Sequence, residues 1–215
     1  MNEYEFLMEK ILAHFAGPLF SDELTRAKRF FFENTIPNEE NPELFEQRMS
    51  QFFDWYFFTR ELEGYGQTPL EVCEDVRELR FTTEEKGLLQ HMRKHRHSLF
   101  QFIKLKDEDV HIKDLFKKER LVVRKSKLIF GFDTEEFFEA RLIPTGDSYI
   151  FTRGFCFHPT SAQKFITEEI KKHRKDPDKN PEDFILRLIK MRFKFEQYKH
   201  VKPEMIYSDS SKVGI

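Results

Sequence analysis

The stretch Leu99-Phe100-Gln101-Phe102-Ile103 marks the point at which the hydrophobic pattern of this chain changes. Large apolar residues stand there in a short run, as is typical of a β-strand, and similar runs recur as far as Phe151. Before Ser98 the apolar residues instead follow the spacing of α-helices. The change predicts an α+β fold in which an N-terminal helical part precedes a small sheet.

The first 97 residues contain several signals for the beginning of a helix. Asn41-Pro42-Glu43 offers a capping Asn followed by Pro at the first helical position. Thr68-Pro69-Leu70-Glu71 and Thr82-Thr83-Glu84-Glu85 both fit the capping box, in which each side chain accepts from the other residue's backbone N–H. Together with a helix over Glu3 to Phe15, these signals predict an N-terminal helical bundle of about five members. The last of them is expected to run towards His97.

The residues after Ser98 predict a small antiparallel β-barrel or curved sheet, because several short strands fall close together in the chain. The predicted strands cover residues 99–103, 121–123, 127–130, 137–143 and 148–151. A turn at Pro144-Thr145-Gly146-Asp147 joins the last two as a hairpin. Helical spacing returns at residue 159, and Asp176 to Pro181 separates two C-terminal helices.

The predicted organisation has four parts that share one continuous core. They are an acidic helical region (1–97), the β-module (98–158), the C-terminal helices (159–200) and a tail (201–215). The 26 Phe residues, against 1 Trp and 6 Tyr, occur in helical and strand-like stretches alike, which favours the shared core. One helix face cannot bury the whole run Phe30, Phe31 and Phe32, so these residues are also candidates for an exposed aromatic interface.

Charge is divided unevenly along the chain. Residues 1–90 contain 9 Lys and Arg against 19 Asp and Glu, a net charge of −10, whereas residues 91–215 contain 27 against 19, a net charge of +8. Parts of opposite charge can dock on each other or offer different faces to partners. An ordinary mixed surface, to which different parts of the chain contribute unequal numbers of charges, explains the same numbers.

The sequence predicts a cytoplasmic protein without a membrane span. The N-terminus is acidic, whereas a secretory signal needs a basic start and an apolar stretch. No run approaches the roughly 20 apolar residues that a membrane helix needs. The two cysteines, Cys73 and Cys156, form no Cys-x-x-Cys pair, which fits a reducing compartment.

The order of several motifs resembles a family of uncharacterised bacterial proteins. Phe52-Phe53-Asp54-Trp55-Tyr56-Phe57-Phe58 and then Gly66-Gln67-Thr68-Pro69-Leu70-Glu71 are similar to a helix-and-turn signature of that family. The resemblance, which covers roughly residues 45–160, continues through Leu99-Phe100, Asp114-Leu115-Phe116, Val122-Val123 and Ala140-Arg141-Leu142-Ile143-Pro144. It implies a helical region followed by a small β-module, and it implies no established activity.

Members of that family often end in a small zinc-binding (SEC-C) motif like that of the SecA translocation ATPase. Such a site needs a cluster of Cys, with Cys or His completing four ligands. This chain has no cysteine after His158, so we expect neither that zinc site nor a cofactor. His91 and His95 are weak metal candidates, because a four-residue spacing on a helix places both on one face. The cations between them disfavour a divalent ion.

Basic residues form two candidate surfaces for a polyanion or a protein partner. The run from His91 to His97 is one, although cations at a helix end also simply complement the helix dipole. The run from Lys171 to Lys175, with the basic face of the helix after Pro181, is the other, and a packed helix with a solvated face explains it equally. The candidate residues are Arg93, Lys94, Arg96, His97, Lys171, Lys172, Arg174, Arg187, Lys190 and Lys194.

The catalytic and phosphate-binding motifs are missing. The chain contains no Gly-x-Gly-x-x-Gly, no P-loop, no Gly-x-Ser-x-Gly and no His-Glu-x-x-His. Asp54, among aromatic residues, fits either a buried acid or a structural position, and acidic neighbours disfavour a thiolate at Cys73. The sequence therefore favours a non-enzymatic cytoplasmic adaptor that binds a protein partner. Nucleic-acid association through the β-module and the basic helices is the alternative, and an enzyme of unknown class comes third.

Overall fold

A computed structural model describes residues 2–33, 41–126, 136–176, 178–198 and 200–209. The predicted strand over 127–130 lies outside these residues. The chain forms two compact units. The first unit extends to His95 and includes residues 143–145 and 152–154, and the second comprises residues 96–142, 146–151 and the chain from Phe155 onwards.

The first unit consists of helices. They are α1 (Glu3–Phe15), α2 (Ser21–Phe32), α3 (Pro42–Phe58), α4 (Pro69–Val72) and α5 (Thr83–Met92), with single 3-10 turns at Pro18–Phe20 and Cys73–Asp75. The predicted capping residues are confirmed. The Asn41 side chain accepts from Leu44 N at the start of α3, and Thr68 and Thr82 form complete capping boxes with Glu71 and Glu85.

Aromatic side chains of α3 form the centre of the first unit. Phe52, Tyr56 and Phe57 are fully buried, and the ring of Phe31 from α2 meets that of Phe52 edge to face at 5.6 Å. The Tyr56 hydroxyl donates to the carbonyl of Phe15 at 2.9 Å, so the one polar atom of this side chain is satisfied. The C-terminal half of α3 therefore lies inside the unit on most of its faces.

A curled antiparallel sheet, most of which belongs to the second unit, forms a half-barrel. Its strands are β1 (Arg96–Lys106), β2 (Asp109–Asp114), β3 (Arg120–Val123), β4 (Phe137–Thr145), β5 (Ser148–Phe151) and β6 (Cys156–His158). The order across the sheet is β3-β2-β1-β4-β5, and β6 pairs with β4. The predicted β4–β5 hairpin is confirmed, and Gly146 takes the positive φ of 71° that its turn needs.

The register of β1 against β4 places an apolar cluster on one face of the sheet and the pair His97 and Arg141 on the other. Phe100 lies opposite Phe138 and Ser98 opposite Ala140, on the face that holds an apolar cluster with Ile112. His97 lies opposite Arg141 and so points to the other face. A register shift between Phe102 and Lys104 marks a bulge in β1.

The C-terminal helices complete the α+β fold that the sequence predicts. They are α6 (Gln163–Lys175) and α7 (Pro181–Gln197), and a third short helix, α8 (Pro203–Ile206), lies in the predicted tail. Asn180 caps α7 through a bond from Glu182 N, and Pro181 occupies its first position. Across the part of the chain that the structure describes, no helix combines the length and apolar character of a membrane span.

Candidate functional site

The basic run from His91 to His97 does not form one helix, and this part of the prediction is wrong. Helix α5 ends at Met92, and β1 begins at Arg96. His91 Nδ1 is 2.9 Å from the hydroxyl of Tyr4, whereas His95 Nδ1 donates to the carbonyl of Met92 at 2.9 Å. The two imidazoles therefore do not share the helical face on which their metal-binding spacing depended.

The arginines of this run lie in ion pairs. Arg93 contacts Glu74 at 2.5 Å in the first unit, and Arg96 contacts Glu119 at 2.6 Å in the second. Lys94 is exposed. Because neighbouring carboxylates offset the two guanidinium charges, this run does not present the open row of cations that a polyanion would need.

The C-terminal basic candidates also contact groups of the second unit. Lys172 pairs with Glu169 and, at 3.2 Å, with Asp209. Arg187 lies 3.1 Å from the same Glu169 and stacks over the rings of Phe165 and Phe184. Lys171 is exposed, and Lys190 and Lys194 are half-buried on α7.

Arg174 fixes a turn of its own unit. It donates through Nε to the carbonyl of Phe116 at 2.9 Å and through Nη2 to that of Leu115. The fully buried Asp114 accepts from Phe116 N and Lys117 N in the same turn, both at 2.9 Å. The side chain of Arg174 is thereby occupied by backbone carbonyls, so its role in the described structure is to hold this turn.

His97 lies between two carboxylates in the second unit. Its Nε2 is 2.6 Å from Glu139 Oε1 and its Nδ1 is 2.6 Å from Glu182 Oε2. Burial and the Arg141 guanidinium lower the pKa of His97, but Glu182 and Glu139 outweigh both and raise it to about 9. At neutral pH His97 is therefore an imidazolium that donates to both carboxylates.

The buried network of His97, Glu139, Arg141 and Glu182 follows from the strand register and one helix start. His97 and Arg141 are cross-strand neighbours, Glu139 precedes Arg141 by two residues, and Glu182 is in the first turn of α7. Only 4% of the His97 side chain and 3% of the Glu139 side chain are exposed. The network can hold a proton and join α7 to the sheet, and it reaches solvent at Glu182, whose side chain is 32% exposed.

Glu139, Arg141 and Glu182 are not among the site residues that the sequence predicts. One signal was present, because Glu139 and Arg141 stand at alternate positions in the otherwise apolar stretch from Phe137 to Ile143. Two charges on the same face of a buried strand require partners. In contrast, nothing local indicates that His97 completes this group, because its carboxylate partners come from residues 42 and 85 positions away.

The aromatic run at the end of α2 is divided between core and surface. Phe31 and Phe32 are 0% and 2% exposed, whereas Phe30 is 50% exposed and stacks on Trp55 at 5.7 Å. Of the three candidate interface residues, only Phe30 presents a substantial part of its ring to solvent. It lies flat against the unit's own tryptophan.

An open groove lies between α1 and α5 in the first unit. It encloses about 370 Å³ and is lined by Asn2, Glu3, Phe6, Leu7, Glu84, Glu85 and Leu88. Two contacts join the same helices, the Tyr4–His91 hydrogen bond at 2.9 Å and the Lys10–Glu85 ion pair at 2.7 Å. These pairings show that α1 and α5 are antiparallel.

The groove is lined by the apolar side chains of Phe6, Leu7 and Leu88, called its floor below, and by the exposed carboxylates of Glu3 and Glu84, called its rim. Phe6 is 64% exposed, whereas Leu7 is 1% exposed. Glu85 takes part in a capping box, and a hydrogen bond from Lys10 lowers its pKa. Glu3 and Glu84 are exposed and take part in no ion pair among the described residues. The groove can therefore bury an apolar side chain beside two available carboxylates.

Comparison with known proteins identifies a family for this chain, but it does not identify an activity. No curated protein and no solved structure matches the chain. Among the described residues, no three or more His, Cys, Asp or Glu side chains are grouped so as to hold a metal ion. A model of a family of unknown function, DUF7986, matches residues 27–199, which is most of the chain, and the protein therefore belongs to that family.

Proposed function

We propose that this protein is a non-enzymatic adaptor that binds a protein partner through the groove between α1 and α5. The observation that carries the proposal is Phe6, a large aromatic side chain that is 64% exposed within a concave, partly apolar surface. A binding energy concentrated in one aromatic anchor and its pocket is typical of protein interfaces. Because α1 precedes the segment that the family model matches, the proposal concerns this chain rather than the whole family.

Other exposed apolar residues do not offer the same surroundings. Leu19 is 84% exposed and Leu105 47% exposed, and neither lines the groove. Single apolar side chains at a surface are common and indicate no function by themselves. Phe6 differs because Leu7 and Leu88 extend its apolar surface into a depression that a partner's side chain can enter.

The alternative, association with nucleic acid, gains nothing from the contacts of the predicted basic residues. Arg93, Arg96 and Arg187 contact carboxylates, and Arg174 contacts backbone carbonyls. Binding of labelled single- or double-stranded oligonucleotides at about 50 mM salt, lost on raising the salt, would favour this alternative over the adaptor.

Two broader expectations belong to the same proposal. The order of the motifs from Phe52 to Pro144 supports a relation to the bacterial proteins that carry a SecA-type zinc motif. Two isolated thiols, Cys73 and Cys156, support a cytoplasmic location.

Affinity capture with matched variants tests the adaptor function. The wild-type protein, Phe6→Ser and Leu19→Ser are each immobilised and exposed to an extract of the source organism. We expect a protein that the wild type and Leu19→Ser retain and that Phe6→Ser loses. Equal retention by all three proteins, or no specific protein at all, would overturn the proposal. Tryptophan fluorescence of Trp55 verifies that each variant is folded, because this residue is the only Trp and is 7% exposed.

A further inference from the structure

We infer that the groove between α1 and α5 recognises a short basic peptide segment with one large apolar side chain. The inference rests on the proposed adaptor function and adds the chemistry of the partner. Three observations on the described residues lead to it. They are the length of the groove, its apolar floor, and the charge of its rim.

The length of the groove limits the occupant to a short segment. On the α1 side the lining residues run from Asn2 to Leu7, five residues apart. At 1.5 Å of rise per residue, they span about 7.5 Å along the helix axis. This distance accommodates one large side chain and the backbone on either side of it, and it is too short for the whole face of an amphipathic helix.

The floor of the groove selects an apolar anchor. Phe6 and Leu88 both line the groove, and Leu7 closes its base in the core. An aromatic or long aliphatic side chain placed there covers the exposed ring of Phe6 and removes apolar surface from water. A polar side chain in the same place gains no comparable contact, because the polar lining groups lie at the rim.

The rim selects positive charge beside the anchor. Glu3 and Glu84 are exposed, and they take no part in the capping boxes of α1 and α5. The glutamates of those boxes are Glu5 and Glu85. Lys10 already compensates Glu85. A partner with Lys or Arg next to its anchor can pair with Glu3 and Glu84, whereas an acidic partner is repelled. The net charge of −10 over residues 1–90 acts in the same direction over a longer range.

Fluorescence anisotropy with three synthetic peptides tests the inference on the full chain. The first peptide carries a central Trp flanked by Lys and Arg, the second replaces the Trp by Ser, and the third replaces every Lys and Arg by Glu. We expect the first to bind at least about tenfold more tightly than either of the others, because truncating an anchor or reversing charge complementarity removes a dominant contribution. Raising the salt concentration should weaken the first peptide.

Variants of the protein assign the effect to the groove. We expect Phe6→Ala to lower the affinity for the first peptide by roughly tenfold, whereas Leu19→Ala leaves it unchanged. The double variant Glu3→Lys with Glu84→Lys should prefer the acidic peptide over the basic one. If lysines at these helix starts impair folding, Glu3→Gln with Glu84→Gln should instead remove the preference for the basic peptide.

The outcomes separate this inference from the proposed function. If the three peptides bind alike, or if Phe6→Ala binds the first peptide as the wild type does, the basic-anchor inference is wrong. The adaptor function then still stands provided that capture from the extract depends on Phe6. A concentration-dependent dimer that Phe6→Ala abolishes, seen by sedimentation, would assign the groove to a second copy of this chain and would also overturn the inference.

Discussion

His97 shows at the scale of a single residue how buried carboxylates fix a protonation state. Glu139 and Glu182 each lie 2.6 Å from its ring, and they raise its pKa to about 9 against the opposing effects of burial and Arg141. A folded-state pKa above the unfolded value means that the folded state holds the proton more tightly. Stability from this group is therefore complete below about pH 6.5 and is lost as the pH rises through about 9.

The variant His97→Gln is expected to lower the free energy of unfolding by about 3 kcal/mol at neutral pH, since one pKa unit corresponds to about 1.4 kcal/mol. The glutamine keeps some hydrogen bonds but leaves two carboxylates without a positive partner between them. The difference from the wild type should shrink as the pH is raised to about 9.5, because the wild type then loses its own proton. Urea unfolding, followed by circular dichroism at several pH values, measures this difference. A difference that is constant with pH would contradict the role assigned to His97.

Gly154 is a residue at which the close approach of the Asp54 side chain leaves no room for a Cβ. A Cβ at this position would lie 2.7 Å from Cβ and 3.0 Å from Cγ of the buried Asp54, both in the first unit. We expect Gly154→Ala to destabilise the first unit by about 1–3 kcal/mol, because an added methyl group in a packed site forces its neighbours to move. Unfolding followed by the fluorescence of Trp55 measures the loss. An unchanged midpoint would show that Asp54 can move aside without cost.

At the scale of elements, α5 contains a glycine that no contact requires. Gly87 is exposed, lies in the middle of the helix, and has open space where a Cβ would stand. Gly87→Ala should therefore stabilise the first unit by about 0.5–1 kcal/mol, since Gly loses more backbone entropy than Ala on entering a helix. The same Trp55 assay serves for both glycine variants. A destabilised Gly87→Ala would indicate that α5 needs the backbone freedom of glycine beside the groove. Gly154→Ala, which is expected to destabilise the same unit, serves as the comparison for a loss of stability.

Helix starts could be predicted from the sequence, as could the short strands β3 and β5, whereas the end of α5 and the strands β2 and β6 could not. Asn41, Thr68 and Thr82 each form a cap with the residue three positions later, so local sequence suffices. The end of α5 at Met92 depends on the pairing of the following strand, and the five predicted strands include neither β2 nor β6. Strand β6 has only three residues and exists because it pairs with β4.

The candidate groove could not be predicted for the same physical reason. Phe6 and Leu88 are 82 positions apart, and only the packing of α1 on α5 brings them to one surface. The predicted interface residues Phe31 and Phe32 are buried, because α2 packs against α3 over more of its surface than one helical stripe. The basic residues 93–97 were recognised as unusual, but their acidic partners come from distant elements.

At the scale of the whole molecule, the two units divide the chain between His95 and Arg96, close to where the charge balance changes sign. Ion pairs within the first unit include Lys10–Glu85 and Arg93–Glu74, and those within the second include Lys172–Asp209. The expectation of a single continuous core across the chain stays a prediction. Each unit can be examined separately, because each contains one cysteine.

These two thiols allow the pH response of each unit to be measured in one molecule. Cys73 lies in the first unit and is 0% exposed, and Cys156 lies in the second and is 1% exposed. Burial raises the pKa of the Cys73 thiol to about 11. Both thiols should therefore react with an alkylating reagent only when their unit opens. Rates divided by those of the denatured protein at the same pH give the protection of each thiol.

The protection of Cys156 is expected to be greatest near pH 6.5. On the alkaline side it should fall towards pH 9, because His97 loses the proton that its carboxylates hold. On the acidic side it should fall as well, because burial and Arg192 lower the pKa of His158 to about 3, so that only the unfolded chain takes up a proton below about pH 6.5. The variant His97→Gln should abolish the alkaline decrease and leave the acidic one. Cys73, whose unit contains neither histidine, should show no such maximum. If the protection of both thiols shows the same pH dependence, the chain opens as a single cooperative unit. His97 and His158 then affect the stability of the whole chain.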